Sequence, residues 1–232
     1  MSINKAMILA AGFGERMLPL TRKTPKPLIM VGSKNLLERS IELLIKIGIN
    51  ELVINTHYLS QEINNFLKTK NYEISINVTK EQELLDTGGG ILNATKKFEN
   101  NPFFVLNPDT IWNKNYYEEL KILENSYLEN NKPILLLVDK KISHDKSFKG
   151  DFNFKKNKQI TREGANRYIF TGAQIINRGI FNGITKKVFS MNPVWDKMIK
   201  KKILLGQESN QTFFHVNSIK VYEELNKLKF ID

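Results

Sequence analysis

Apolar residues fall along the chain in two rhythms, short unbroken runs and longer stretches at helical spacing. Residues 5–10 (KAMILA) are a short apolar run that stops at a glycine turn, which predicts a buried strand. In 35–48, apolar positions at 36, 37, 41, 44, 45 and 47 recur near helical spacing and the stretch ends on a glycine, predicting a helix. Residues 51–56 (ELVINT) read as a second strand, and Ser60 is placed to cap a helix reaching about 68. Residues 74–81 alternate apolar and polar, as a strand with one wet face does. A helix is expected in 87–98 behind three glycines, a strand at 103–106, a helix at 116–129 and a strand at 133–138.

This alternation predicts an α/β fold, a mostly parallel twisted sheet with helices on both faces. Beyond about residue 140 the pattern changes to strand-like pieces at 151–154 and 167–177, then helical patterns at 194–202 and 219–228. With no internal repeat or linker, the 232 residues are expected to form a single domain.

A composition 41% hydrophobic and 10% aromatic supplies a core and excludes disorder over most of the length. The absence of cysteine excludes a disulfide scaffold, a thiol nucleophile and iron–sulfur or zinc–thiolate sites. No apolar run approaches the roughly 18 residues needed to span a bilayer, and the first residues show no signal-peptide cleavage site. A soluble cytoplasmic protein is expected. The 35 basic and 24 acidic residues leave a net charge of +11, which suits nucleic acid, anionic membranes or anionic small substrates. The lysines are dispersed, however, with short clusters only at 155–156, 186–187 and 200–202, and the Lys-, Asn- and Ile-rich composition follows A/T-rich codons. No nucleic-acid, membrane or obligatory protein partner is expected.

Candidate chemistry starts after the first strand, at Leu9, Ala10, Ala11, Gly12, Phe13, Gly14, Glu15 and Arg16, followed by Pro25-Lys26-Pro27. Small residues let backbone N–H groups approach a polyphosphate. Arg16 offers a planar fork for phosphate oxygens, and Lys26 a point charge on a proline-stiffened segment. The pair Gly12 and Gly14 alone serves a tight turn equally well. Met17 stands where a dinucleotide fingerprint wants its third glycine, and no P-loop motif is present.

Taken together, the glycines, Arg16 and Pro25-Lys26-Pro27 resemble the signature of the sugar-1-phosphate nucleotidyltransferases. Leu85-Asp86-Thr87-Gly88-Gly89-Gly90 is similar to the Leu-Glu-Thr-Gly-Gly-Gly segment of the uridylyltransferases acting on N-acetylmuramic acid 1-phosphate in peptidoglycan recycling. Asn107-Pro108-Asp109 with Ile111-Trp112 resembles that group's Asn-Gly-Asp-x-Trp segment, and Gly150-Asp151-Phe152 and Phe170-Thr171-Gly172 match further stretches in order. The resemblance implies a Rossmann-like nucleotidyltransferase domain, with a nucleotide-binding part over about 1–112 and a sugar-binding part over about 113–232. It also implies that the β-helix acyltransferase domain of some larger relatives is lacking.

What the resemblance implies for individual residues can be set beside their chemistry. Arg16, Lys26 and Asp109 become the catalytic set, with Leu9, Ala10, Ala11, Gly12, Gly14, Glu81, Gly88 and Gly89 around the nucleotide. Asn107, Asp151, Thr171, Gly172 and Trp195 would face the sugar. Asp109 is the implied Mg²⁺ ligand, although by residue type alone an aspartate after a proline simply starts a turn. The family's second metal carboxylate is replaced by His215 in Phe214-His215-Val216-Asn217-Ser218, which suits Mn²⁺ better than Mg²⁺; a histidine bonded to a nearby carbonyl is the plainer alternative. Glu81 could accept from a base N–H or face solvent, Asp86 could cap a helix, and a tryptophan at helical spacing also fits a core.

The implied reaction joins a nucleoside triphosphate, UTP favoured, to a sugar 1-phosphate, N-acetylmuramic acid 1-phosphate favoured. A mannose-1-phosphate guanylyltransferase is the alternative. The altered segment around His215 also leaves room for a non-catalytic nucleotide-sugar binder.

Overall fold

In the computed structural model, which describes residues 2–228, the unbroken apolar runs pair into one seven-stranded sheet. Its strands in chain order are β1 (Lys5–Leu9), β2 (Glu51–Thr56), β3 (Ser75–Lys80), β4 (Phe103–Leu106), β5 (Ile134–Asp139), β6 (Tyr168–Ile176) and β7 (Leu205–Ser209). Their spatial order is β7-β5-β6-β4-β1-β2-β3, and all run parallel except β6, which is antiparallel to both neighbours. Short antiparallel pairs, Met30–Val31 with Lys34–Asn35 and Asn153–Phe154 with Ile160–Thr161, lie outside it.

Among the described residues six α-helices follow the predicted spacing: α1 (Leu36–Ile47), α2 (Ser60–Lys68), α3 (Asp86–Ala94), α4 (Tyr116–Asn130), α5 (Met191–Lys200) and α6 (Ile219–Asn226). Asn35 caps α1 by accepting from the Glu38 N–H at 2.8 Å, and Gly48 ends it at φ +104°, a conformation that favours glycine. Ser60 does not cap α2. It is the helix's first residue, and its hydroxyl bonds the Thr56 hydroxyl at 2.8 Å instead.

The period-two alternation of the strands divides the core between the two faces of the sheet. Ala6, Ile8 and Ile54 pack with α1, α2 and α4 on one face, while Met7, Val53 and Val105 pack with α3 and α5 on the other. This is the expected mostly parallel sheet covered on both sides. The helix expected at 194–202 begins earlier, at Met191, because Pro193 is tolerated in a first turn. Among the described residues, no helix is long and apolar enough to cross a membrane.

Candidate functional site

The chain runs from β1 to β2 and β3 on one side, then returns to β4 on the other side of β1. Loops leaving the carboxyl ends of β1 and β4 therefore diverge and leave a crevice, where open α/β sheets bind ligands. A cleft of about 690 Å³ fills it. Leu9 through Met17, Lys26 and Pro27 form one part of its lining, Asn107-Pro108-Asp109 another, and Leu84, Asp86 and Thr87 a third, with Asn55 between.

The first loop owes its shape to its glycines. Gly14 sits at φ +70°, and a Cβ there would lie 2.9 Å from Thr21 Cγ2, so the turn requires glycine. Gly12 has nothing within 4 Å of its Cβ position and leaves backbone open to the cleft. Arg16 follows on a single 3₁₀ turn with its side chain exposed at the cleft. Pro25 and Pro27 flank Lys26 and direct it inward.

Lys26 Nζ meets Asp109 Oδ2 at 2.6 Å, with the two side chains 15% and 20% exposed. Residues 83 positions apart thus form one ion pair at the carboxyl ends of two neighbouring strands. His215 Nε2 stands 3.6 Å from the same oxygen. The segment carrying it is zippered to the Asp109 loop by bonds from Val216 N to Asp109 O and from Ile111 N to Phe214 O. Burial alone would raise the Asp109 carboxyl, but His215 and Lys26 outweigh it and bring it down to about 2. Burial lowers the His215 imidazole, Asp109 opposes that, and Lys26 and Arg16 push the same way as burial. At neutral pH the imidazole is therefore uncharged, and Lys26 is the cation that balances Asp109. Asp109 Oδ1 and His215 Nδ1 are buried without a hydrogen-bond partner.

The structure brings together Leu9, Ala10, Ala11, Gly12, Gly14, Arg16, Lys26, Asn107 and Asp109 around the cleft, with His215 against Asp109. Packing places Glu81, Gly88, Gly89 and Trp195 away from the cleft lining. Glu81 does not line the cleft: it is buried, and its two carboxylate oxygens accept from Asn55 Nδ2 and Leu85 N. Gly88 and Gly89 are buried in α3, where a Cβ would lie 2.4 Å from the Phe189 ring and 2.3 Å from the Lys187 carbonyl oxygen respectively. Both allow close packing of the helix against 187–189. Trp195 is a core residue, edge-on to Phe170 at 4.9 Å, with its indole N–H donating to Gln174 Oε1.

Thr171 and Gly172 also act from behind the site. Thr171 is buried and bonded to Leu136 O, and Gly172, at φ +95°, lies against Asn107 and accepts from its N–H at 2.8 Å. Asp151 accepts from Phe170 N at 2.9 Å and lies off the cleft lining. Asp86 does not cap α3 in the ordinary way. It opens the helix at φ +60°, lines the cleft, and accepts from Thr87 N at 2.6 Å. Asn55 is a cleft residue that sequence reasoning missed, and Phe13 one to which it gave no role. Asn55 lies inside a strand run where alternation assigns it no role, and Phe13 stands between two glycines whose backbone carries the argument.

The family model for nucleotidyl transferases matches residues 5–162. An N-acetylmuramate alpha-1-phosphate uridylyltransferase of Neisseria meningitidis serogroup B is 32% identical over 220 residues, covering 93% of this chain and 94% of that protein. A probable mannose-1-phosphate guanylyltransferase of Oryza sativa subsp. japonica is 40% identical over 112 residues, 46% of this chain and 31% of the rice protein. The chain thus matches about a third of the length of the plant enzyme. A solved UDP-glucose pyrophosphorylase complexed with UDP-glucose shares the fold, with a TM-score of 0.82 and 17% identity over 97% of both chains.

Proposed function

The chain belongs to the nucleotidyl transferase family, and from that premise we propose that it transfers a nucleotidyl group from a nucleoside triphosphate to a sugar 1-phosphate, releasing pyrophosphate. The observation that carries the reading is the Lys26–Asp109 pair at 2.6 Å, with Arg16 on the same cleft and bare backbone at Gly12. An oxygen of the sugar phosphate attacks the α-phosphorus. The bond from that phosphorus to the bridging oxygen breaks, and pyrophosphate leaves with the electron pair. The nucleophile is already an anion, so no side chain has to remove a proton. What the protein has to do is align two polyanions and offset their charge. In this reading Arg16 holds the leaving pyrophosphate and Lys26 the phosphates nearer the reacting centre.

The residues present fit a divalent cation. Lys26 occupies only Oδ2 of Asp109, while Oδ1 is buried and unpartnered, the oxygen a hard cation requires. Among the described residues no group of three or more His, Cys, Asp or Glu side chains is placed to hold a metal. Mg²⁺ would therefore be held by Asp109, with substrate phosphates and water completing its shell. His215, kept neutral, would add a nitrogen ligand that suits Mn²⁺ better. When bound, the ion supplies charge neutralisation between the two phosphate groups.

UTP and N-acetylmuramic acid 1-phosphate are the favoured pair, supported by the near full-length match to the Neisseria uridylyltransferase. GTP with mannose 1-phosphate is the second reading, supported by the higher identity to the rice guanylyltransferase over 112 residues. The test is pyrophosphate release with Mg²⁺, pairing UTP, GTP, CTP and dTTP with N-acetylmuramic acid, mannose and glucose 1-phosphates. Turnover in one pairing assigns the substrates. Silence in every pairing, repeated with Mn²⁺, would overturn the reaction and favour a nucleotide-sugar binder.

A further inference from the structure

We propose that Asn55 and Glu81 are a buried positioning pair that sets the two walls of the cleft at the spacing a nucleotide needs; the inference rests on the proposed function in taking a nucleotide as the occupant. Both residues are 2% exposed. Asn55 Oδ1 accepts from the Ala10 N–H at 3.0 Å, and Asn55 Nδ2 donates to Glu81 Oε1 at 2.7 Å. Glu81 Oε2 accepts from the Leu85 N–H at 3.0 Å. Ala10 begins the phosphate-loop wall, and Leu85 directly precedes Asp86 and Thr87 on the facing wall. Three hydrogen bonds therefore tie one wall to the other through the interior.

The surroundings are shaped to this pair. A Cβ on Gly90 would lie 2.8 Å from Asn55 Nδ2 and 2.9 Å from Glu81 Oε1, so the third glycine of the Gly-Gly-Gly run leaves room for the bond between them. The Glu81 backbone oxygen meets His57 Nδ1 at 3.0 Å, and the Phe13 ring of the first loop stands edge-on to that imidazole at 5.4 Å.

The donor and acceptor pattern admits few solutions. Position 81 must accept at both of its terminal atoms, which a carboxylate does and a carboxamide, with one oxygen and one NH₂, cannot. Position 55 must accept from Ala10 and donate to position 81. Asn55→Asp alone sets two carboxylates against each other. Glu81→Gln alone points an NH₂ at a donor. The reciprocal exchange, Asn55→Asp with Glu81→Gln, restores every bond: the aspartate accepts from Ala10 and from the glutamine NH₂, and the glutamine oxygen accepts from Leu85. Side-chain size and net charge are unchanged.

The test compares wild type, both single variants and the double exchange. It reads Mg²⁺–UTP and Mg²⁺–GTP affinity by calorimetry, KM for each substrate, kcat and thermal midpoint. Each single variant is expected to weaken nucleotide affinity and raise nucleotide KM about ten- to a hundredfold, the cost of one buried polar group facing another of its own kind, acceptor to acceptor in Asn55→Asp and donor to donor in Glu81→Gln. The sugar-phosphate KM should stay unchanged, and the double exchange should recover wild-type affinity. Single variants that lower the melting temperature but leave nucleotide KM unchanged would overturn the proposal, as would a double exchange no better than the worse single. If a single variant does not fold, the double exchange decides alone: wild-type nucleotide affinity supports the pair, and weak affinity or misfolding overturns it. A wild type that binds nucleotide yet turns over no sugar phosphate refutes the proposed reaction and leaves the calorimetric test of the pair standing.

Discussion

Removing the Lys26 side chain tests the electrostatics of the cleft most directly. Lys26→Ala deletes the cation 2.6 Å from Asp109 Oδ2 and leaves the carboxylate's burial in place. In the wild type, burial pushes the carboxyl up, and His215 and Lys26 together hold it at about 2 against an ordinary 3.8. At about 1.4 kcal/mol per pH unit, that gap is worth about 2 kcal/mol. The unfolded chain takes up the proton at higher pH than the folded one. The contribution is therefore complete above about pH 4 and lost as pH falls from there toward 2. In the variant the charge and hydrogen bond of Lys26 no longer oppose burial, so the carboxyl rises toward its ordinary value and the stability lost between pH 4 and pH 2 becomes smaller. Urea unfolding of both proteins between pH 2.5 and 7 measures this. Pyrophosphate release at pH 7 measures the second consequence, a loss of about a hundredfold or more from removing one preorganised group. A variant with wild-type acid sensitivity and near-wild-type turnover would refute both the electrostatic account and the role of Lys26.

Further outcomes follow from particular contacts. His215→Asp, which adds an oxygen ligand beside Asp109, is expected to lower the Mg²⁺ concentration needed for half-maximal rate and to remove any advantage of Mn²⁺; an unchanged metal titration would count against His215 as a ligand. Gly88→Ala drives a methyl to 2.4 Å from the Phe189 ring and should lower stability by about 1–3 kcal/mol in urea melts. Gly12→Ala, with open space at its Cβ, should leave stability unchanged and weaken nucleotide binding instead. Trp195→Ala should cost about 3–5 kcal/mol of stability, and Trp195→Phe should leave the sugar-phosphate KM at its wild-type value; a raised KM in the latter would return Trp195 to the sugar site.

How far the chain could be read follows from where each signal lies. Glu51–Thr56 and Phe103–Leu106 stand at their expected limits because an apolar run bounded by turn residues is a local signal. The strand Leu205–Ser209 was not expected. Its LGQES composition has little strand character, and it exists because it pairs with Ile134–Asp139 and because Gly206 fits closely against Ile160, Phe154 and Leu137. The antiparallel direction of Tyr168–Ile176 leaves no trace in periodicity either. The expected site residues divide in the same way. Arg16, Lys26 and Asp109 follow strands or sit on a proline-framed turn, so sequence order already put them at one edge of a parallel sheet. Glu81, Gly88, Gly89 and Trp195 are residue types that serve ligands and packing equally. Their partners, Asn55, Phe189, Lys187 and Gln174, lie 26, 101, 98 and 21 positions away in the chain. Which use applies is therefore decided by long-range packing. At Glu81 that packing turns an expected contact with the base into a bond between the walls that would hold it.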